Sequence, residues 1–223
     1  MPQPKIRSPL IAGLGLRAFK GGAVAVGVTA AEGKPCVVLS AVLETSTDGD
    51  RLSFEPYRLA AETQHESSGS SAHEAAAIVA EGRRRQSQLA TNSLQGIIHR
   101  LDAAGCNLAV VALLVNRAGW ITDLLEYSLA WAEHVPVAEN LAVREALRFA
   151  AGQCAVDVVD QDEKSLLELA TKVLGVSSAE LDGRLKALGA PIGKPWRKEQ
   201  KLACLSAWVA LASRPVVEID QPG

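Results

Sequence analysis

Three short apolar runs open the chain, at residues 10–18, 23–30 and 35–46. In the second, Val24, Val26 and Val28 alternate with small residues. That period of two puts every other side chain on one face of a strand. Gly21-Gly22 separates the first two runs, and Glu32-Gly33-Lys34 the second and third. Connectors this short leave no room for a crossover helix, so the pattern predicts three antiparallel strands in a meander. The next stretch breaks the pattern. Asp48-Gly49-Asp50 reads as a turn, Phe54 to Tyr57 as an irregular or short strand segment, and Ser67-Ser68-Gly69-Ser70-Ser71 as a polar loop. Residues 47–71 are therefore predicted to be a flexible insertion.

Beyond residue 71 the period changes to that of helices. Ser71 and Glu74 have capping-box spacing, which starts a helix near Ala72. Leu94, Ile97, Ile98 and Leu101 fall on one face of it, Gly96 is a weak point, and Gly105 stops it near residue 104. Residues 107–115 are almost all apolar, as expected of a strand buried on both faces. The stretch 116–140 holds Trp120, Tyr127 and Trp131, reads as partly helical, and is expected to end at Pro136. A helix over 141–152 turns Val143, Leu147 and Ala150 inward, and a strand follows over 155–159. Ser165 with Glu168 and Ser177 with Glu180 give two further capping boxes. The second opens a helical insertion over 177–193, with Leu181, Leu185 and Leu188 as its apolar stripe. A last helix runs from near Pro195 to about residue 212. This order predicts one α/β domain over 1–223. Its mixed sheet opens with the three-strand meander and carries helices on both faces, with insertions.

Composition narrows the chemistry. Of 223 residues 48% are hydrophobic but only 4% aromatic, so the core must be built from Leu, Val and Ala. The net charge is −2, which excludes a whole-protein basic field for nucleic acid and leaves only a local patch. Cys36, Cys106, Cys154 and Cys204 form no C-x-x-C pair and sit in or beside apolar runs. They read as reduced, buried thiols of a cytoplasmic protein. The run 10–18 is too short to cross a membrane and is broken by Gly13, Gly15 and Arg17. The four histidines lack metal-ligand spacing. Gly13-Leu14-Gly15-Leu16-Arg17-Ala18 fits the loose dinucleotide pattern, but a glycine pair and a strand follow it where a helix should. Gly193-Lys194 precedes proline, not Ser or Thr, so no phosphate-binding loop is expected there.

Two local features could carry function. Lys194, Arg197, Lys198 and Lys201 recur at i, i+3, i+4 and i+7. On a helix beginning near Pro195 they would form a basic stripe where helix amides also favour anions. Trp196 beside them could stack on a base. The competing reading is a solvated basic face over a packed tryptophan. Asn116, Arg117 and Trp120 follow a buried strand, where ligands of open α/β sheets gather. They could bind an anion or a ring, or simply make a turn.

The three glycine-separated strand runs, the apolar run 107–115, and the run 155–159 with its acidic tail Asp160-Gln161-Asp162-Glu163-Lys164 resemble the ribonuclease H-like fold of ribonuclease H and the Holliday-junction resolvases. The helix around Leu202-Ala203-Cys204-Leu205 is similar to their alanine-rich last helix. The resemblance implies nucleic-acid handling. It also implies two magnesium-type ions held by an Asp of the first strand, a Glu ending the fourth and an acid on the last helix. Here residues 10–18 hold no carboxylate and the fourth strand ends in Asn116-Arg117. Glu199 matches the last position, and Asp160 or Asp162 could complete a relocated metal site. The residues by themselves require no cofactor. Two rival readings remain: a catalytically silent interaction or assembly protein, dimeric through the 120–131 segment, and an enzyme acting on a small molecule at the 116–120 loop.

Overall fold

The computed structural model describes residues 9–31, 34–66, 72–116 and 120–214. Strands β1 (Leu10–Phe19), β2 (Gly22–Ala31) and β3 (Lys34–Glu44) form the meander. The turn between β1 and β2 needs a left-handed residue, and Gly21 supplies it at φ 91°. β4 (Cys106–Val115) lies parallel to β1, and β5 (Val158–Asp162) parallel to β4. The five-stranded sheet has the order β3-β2-β1-β4-β5. The mixed sheet with a meander at its start is the architecture that the apolar pattern predicts.

One face of the sheet presents Ala12, Leu14, Leu16, Leu39 and Leu43 to two helices, α3 (Ala72–Ala103) and α5 (Val135–Gln153). In α3 the inward stripe is Ala75, Val79, Gly82, Gln86, Ala90, Leu94, Ile97 and Leu101, the helical period written over about seven turns. The helix runs straight through Gly96 and ends at Gly105, φ 73°. The opposite face packs against α6 (Leu166–Leu174), α7 (Ser178–Gly189) and α8 (Lys198–Ala212) through Val24, Val26, Val28 and Leu114. Helix α8 is buried all round from Ala203 to Ala210. Gly13 and Gly15 face it, and a Cβ on Gly15 would stand 1.8 Å from Ala203 O. The G-x-G pattern thus serves a close approach of helix backbone to strand. Ser206 Oγ donates to Ala112 O at 3.4 Å and Gln161 Nε2 to Ser206 O at 3.3 Å, fastening α8 to β4 and β5.

Several local expectations are corrected. Residues Phe54 to Tyr57 are not extended. Within the segment expected to be a flexible insertion, α1 (Arg51–Phe54) and α2 (Pro56–Glu66) are helical. Asp50 caps α1 by accepting from Leu52 N, and Gly82 lets Leu52 O come close to α3. The serine run 67–71, and with it Ser71 of the first capping box, lies outside the described residues. Pro136 opens α5 rather than ending a segment, because a proline lacks only an amide that a first turn leaves free. Helix α4 (Leu124–Ala130), capped by Asp123, and a single 3-10 turn at Ala132–His134 precede it. The strand expected over 155–159 begins at Val158 instead. Ala155 is left-handed at φ 54° and Val156 N bonds back to Ala151 O, so these residues close α5. The capping box at Ser177 and Glu180 forms. Ser165 makes no side-chain cap. All four thiols are free, but Cys36 is exposed and Cys154 half-buried, against the expectation that each is buried. Burial pushes the Cys204 thiol up to about 12. Among the described residues no helix is long and apolar enough to cross a membrane.

Candidate nucleic-acid interface and strand-end site

The C-terminal ends of β1, β4 and β5 lie side by side, and three arginines gather there. Arg17 continues the face of Gly13 and Gly15. Its Nε and Nη2 each donate to Glu163 at 3.1 Å, a bidentate pair across 146 positions of sequence. Glu163 is held in place because its N–H donates to Val115 O at the end of β4. On the α5 side, Arg148 Nη2 donates to Asp160 Oδ2 at 2.7 Å. Arg144 donates to Asn116 Oδ1. No carboxylate pairs with Arg144 among the described residues, and its buried Nε has no partner. Burial, then the neighbouring Arg148, lowers the Arg144 pKa, while Glu163 and Asp160 oppose that. A guanidinium never loses its proton at neutral pH, so Arg144 is a half-buried cation. It lines a cavity of about 330 Å³ with Asn116, Ile121, Asp160 and Asp162.

The sequence-predicted metal residues do not converge. Asp160 and Asp162 lie on the α5 side of the sheet end, whereas Glu199 sits in the first turn of α8 on the other face. Asp160 is held by Arg148, and Asp162 Oδ1 accepts from Lys164 N at 2.9 Å. Two guanidiniums, Arg144 and Arg148, line the same cavity as Asp160 and Asp162. No group of three or more His, Cys, Asp or Glu among the described residues could hold a metal ion. These side chains do not fit the divalent ions that the fold resemblance implies.

The basic stripe is reshaped as well. Helix α8 starts at Lys198, not near Pro195, so Lys194 lies in the preceding loop and only Lys198 and Lys201 share a helix face. Arg197 is the N-cap residue, and its N–H donates to Gln200 Oε1 at 3.0 Å. Lys194, Arg197 and Lys198 are exposed, while Lys201 is half-buried with Asp182 at 3.9 Å. Trp196 is committed to packing. Its ring lies over Gly189, where a Cβ would come within 2.3 Å, and Nε1 donates to Leu185 O at 2.9 Å. The stacking role expected for Trp196 therefore gives way to its packed alternative. Arg197, Lys198 and Lys201 line a cavity of about 450 Å³ between α6, α7 and α8, and Glu163 forms part of its wall. Glu163 thus stands between Arg17 and the basic start of α8.

In the predicted 116–120 loop, Asn116 is placed at the strand-end cavity, Arg117 lies outside the described residues, and Trp120 is 71% exposed. Trp120 meets Tyr127 edge-on at 5.6 Å between centroids, and Tyr127 stacks on His134 at 3.9 Å. Trp131 is 65% exposed.

Sequence reasoning missed Arg17, Arg144 and Glu139. Arg17 and Glu139 were signalled by a charge on an otherwise apolar run or face, whereas Arg144, beside Glu145, was not. Arg17 stands inside a strand run, and Glu139 lies three residues before Ala142 on the inward face of α5. Glu139 is 2% exposed, and burial raises its pKa to about 7. The groups facing it are Lys20, Glu55, Arg58 and Glu62. A carboxyl raised above its unfolded value stabilises the fold most when both states are protonated. That stability is lost as pH rises from about 4.5 to about 7 and then levels off. The loss is on the order of 3 kcal/mol. Urea unfolding across this range should show it for the native chain, and the Glu139→Gln variant should lose that part of the slope. An unchanged slope would show that Glu139 ionises freely.

None of the protein families or curated proteins compared matches this sequence. Among solved structures the chain is similar to Thermus thermophilus RuvC, with a TM-score of 0.51 and 11% identity over 90% of this chain and 93% of that one. The same protein in complex with Holliday junction substrate gives a TM-score of 0.51, 12% identity, and coverage of 91% and 93%. The yeast mitochondrial Holliday junction resolvase, Ydc2, gives 0.45 and 14% identity over 93% of this chain and 79% of that one. The RuvC likeness shows the fold: this chain is a ribonuclease H-like, resolvase-like α/β structure.

Proposed function

We propose that this chain is a nucleic-acid-binding protein built on a resolvase-like fold, and that it grips phosphates without two-metal hydrolysis. The observation that carries this reading is the strand-end centre. The first strand, where the resemblance places an Asp, carries Arg17 paired with Glu163, and the fourth strand ends at Asn116, to which the half-buried Arg144 of α5 donates. A guanidinium holds a phosphate oxygen directly, and it repels the divalent cations that hydrolysis would need. Arg197, Lys198 and Lys201 line the cavity that Glu163 borders, and with Lys194 in the preceding loop they extend this cationic surface to the start of α8. The overall charge of −2 keeps attraction local.

Fluorescence anisotropy with labelled single-stranded, duplex and four-way DNA tests the reading. Binding to at least one of them at low salt is expected, falling steeply as salt rises. Added Mg²⁺ or Mn²⁺ should produce no strand cleavage on a denaturing gel. Absence of binding to all three overturns the proposal, and metal-dependent cleavage overturns its non-hydrolytic half.

A second reading is favoured by one separate observation. Trp120 and Trp131 are 71% and 65% exposed on the same segment, more apolar surface than a monomer needs there. Self-association through residues 120–131 would cover them. Sedimentation of the Trp120→Ser, Trp131→Ser double variant against the native chain separates the two readings, since DNA binding does not require those rings.

A further inference from the structure

The cavity of about 450 Å³ between α6, α7 and α8 joins a basic rim to a hydrocarbon wall. Its volume falls in the range of small-molecule sites. Leu181 and Leu205, both buried, close the floor. Trp196 and Leu202 are half-buried in the wall, and Leu167 of the lining is 49% exposed. Solvent therefore reaches the apolar wall, and so can a ligand. Trp196 Nε1 already donates to Leu185 O at 2.9 Å, so its ring offers the cavity only apolar surface. Phosphate binding accounts for the rim but not for this wall, because a phosphate has no hydrocarbon body to lay on it.

Five charged side chains line the cavity, and their pairing leaves cations over. Glu163 is held by Nε and Nη2 of Arg17, both at 3.1 Å. Asp182 is bonded to Lys186 at 2.6 Å and stands 3.9 Å from Lys201. Arg197 and Lys198 are exposed and form no ion pair among the described residues. Glu199 follows Lys198 but is not part of the lining. Each carboxylate of the lining thus has its own cation, and two cations remain. We propose that this cavity binds an amphipathic organic acid, whose carboxylate meets Arg197 and Lys198 while its hydrocarbon body lies against Leu167, Trp196 and Leu202. A guanidinium fork and a carboxylate match in two parallel hydrogen bonds. The site goes beyond nucleic-acid binding and does not depend on it.

The test uses the full chain without nucleic acid, so its outcome is separate from that of the DNA titrations. The probes are hexanoate and octanoate beside hexanol and octanol, with acetate as the head group alone. Saturation-transfer NMR and calorimetry at low salt read the binding. Octanoate should bind about tenfold more tightly than hexanoate, the worth of two buried methylenes. Octanol should bind at least tenfold more weakly than octanoate. Arg197→Ala with Lys198→Ala removes two exposed side chains and keeps the backbone bond from residue 197 to Gln200 Oε1, so it should fold. It should lose at least tenfold in octanoate affinity and leave octanol unchanged. Leu167→Asp keeps both cations and places a carboxylate on the exposed part of the wall, and it too should lose at least tenfold for octanoate. The proposal fails if neither acid binds, if octanol binds as well as octanoate, if acetate binds as tightly as octanoate, or if either variant binds octanoate like the native chain.

Discussion

Gly15→Ala is expected to unseat the last helix. The added Cβ would meet Ala203 O at 1.8 Å, Ala203 C at 2.7 Å and Ala207 N at 3.0 Å. All three are backbone atoms of α8, so no side chain can swing aside to relieve the contact. Either the helix lifts from β1 or the strand bends. Both outcomes disturb the cluster formed by Ala203, Cys204, Ala207 and Trp208 against Val24, Val26 and Val28. Overpacking of a dense core usually costs about 1–3 kcal/mol, and a clash with fixed backbone belongs at the upper end or beyond it. We expect a loss of at least about 3 kcal/mol, seen as a fall in the urea midpoint. Gly96→Ala is the control. That glycine lies exposed inside α3 with nothing within 4 Å, so alanine should stabilise by about 0.5–1 kcal/mol. An unchanged midpoint in Gly15→Ala would mean that α8 does not rest on β1 as described.

Replacing Lys194, Arg197, Lys198 and Lys201 together by alanine is expected to weaken DNA binding about 10- to 100-fold at low salt and to flatten its salt dependence. Each phosphate contact contributes about 0.9 to the logarithmic salt slope for duplex DNA, so the loss of three exposed cations should lower the slope by about 2–3. Lys201 adds less, because Asp182 stands 3.9 Å away. The fold should survive, since the first three side chains face solvent. Trp196 is left out of the variant because its ring packs beneath α7 and is held by Leu185 O. Anisotropy titrations between 50 and 200 mM salt supply the slope. If both slope and affinity stay as in the native chain, the phosphates are held elsewhere, with Arg144 and Arg148 the next to replace.

The fold was more legible in the sequence than the site. The strand runs, the glycine turn at residue 21 and the long stripe of α3 are local signals, written in neighbouring residues. They were enough to predict the meander, the buried strand that became β4, and a mixed sheet with helices on both faces. Where the reading slipped, a local signal had two meanings. Pro136 could end one element or begin another, and it began α5 because a first turn tolerates the missing amide. Ala155 and Val156 looked like a strand because they are small and apolar, yet they close a helix against the core. Lys194 to Lys201 had helical spacing, but spacing places charges on one face only where a helix exists. The helix starts at Lys198.

What the sequence determined by itself is the opening meander, the long helix and buried strand that follow residue 71, the absence of carboxylates from β1, and the need for any anion site to be local. Only the tertiary structure decided which charges meet. Arg17 finds Glu163 across 146 positions because β1, β4 and β5 end at the same edge of the sheet. Asp160 and Glu199 are kept apart because α5 and α8 pack on opposite faces. Glu139 became a buried acceptor only when α2 placed the amides of Tyr57 and Arg58 on its Oε1. The physical reason is range. Helix and strand periods act over a few residues, whereas a charge's partner, its burial and its pKa depend on groups brought close by packing distant segments.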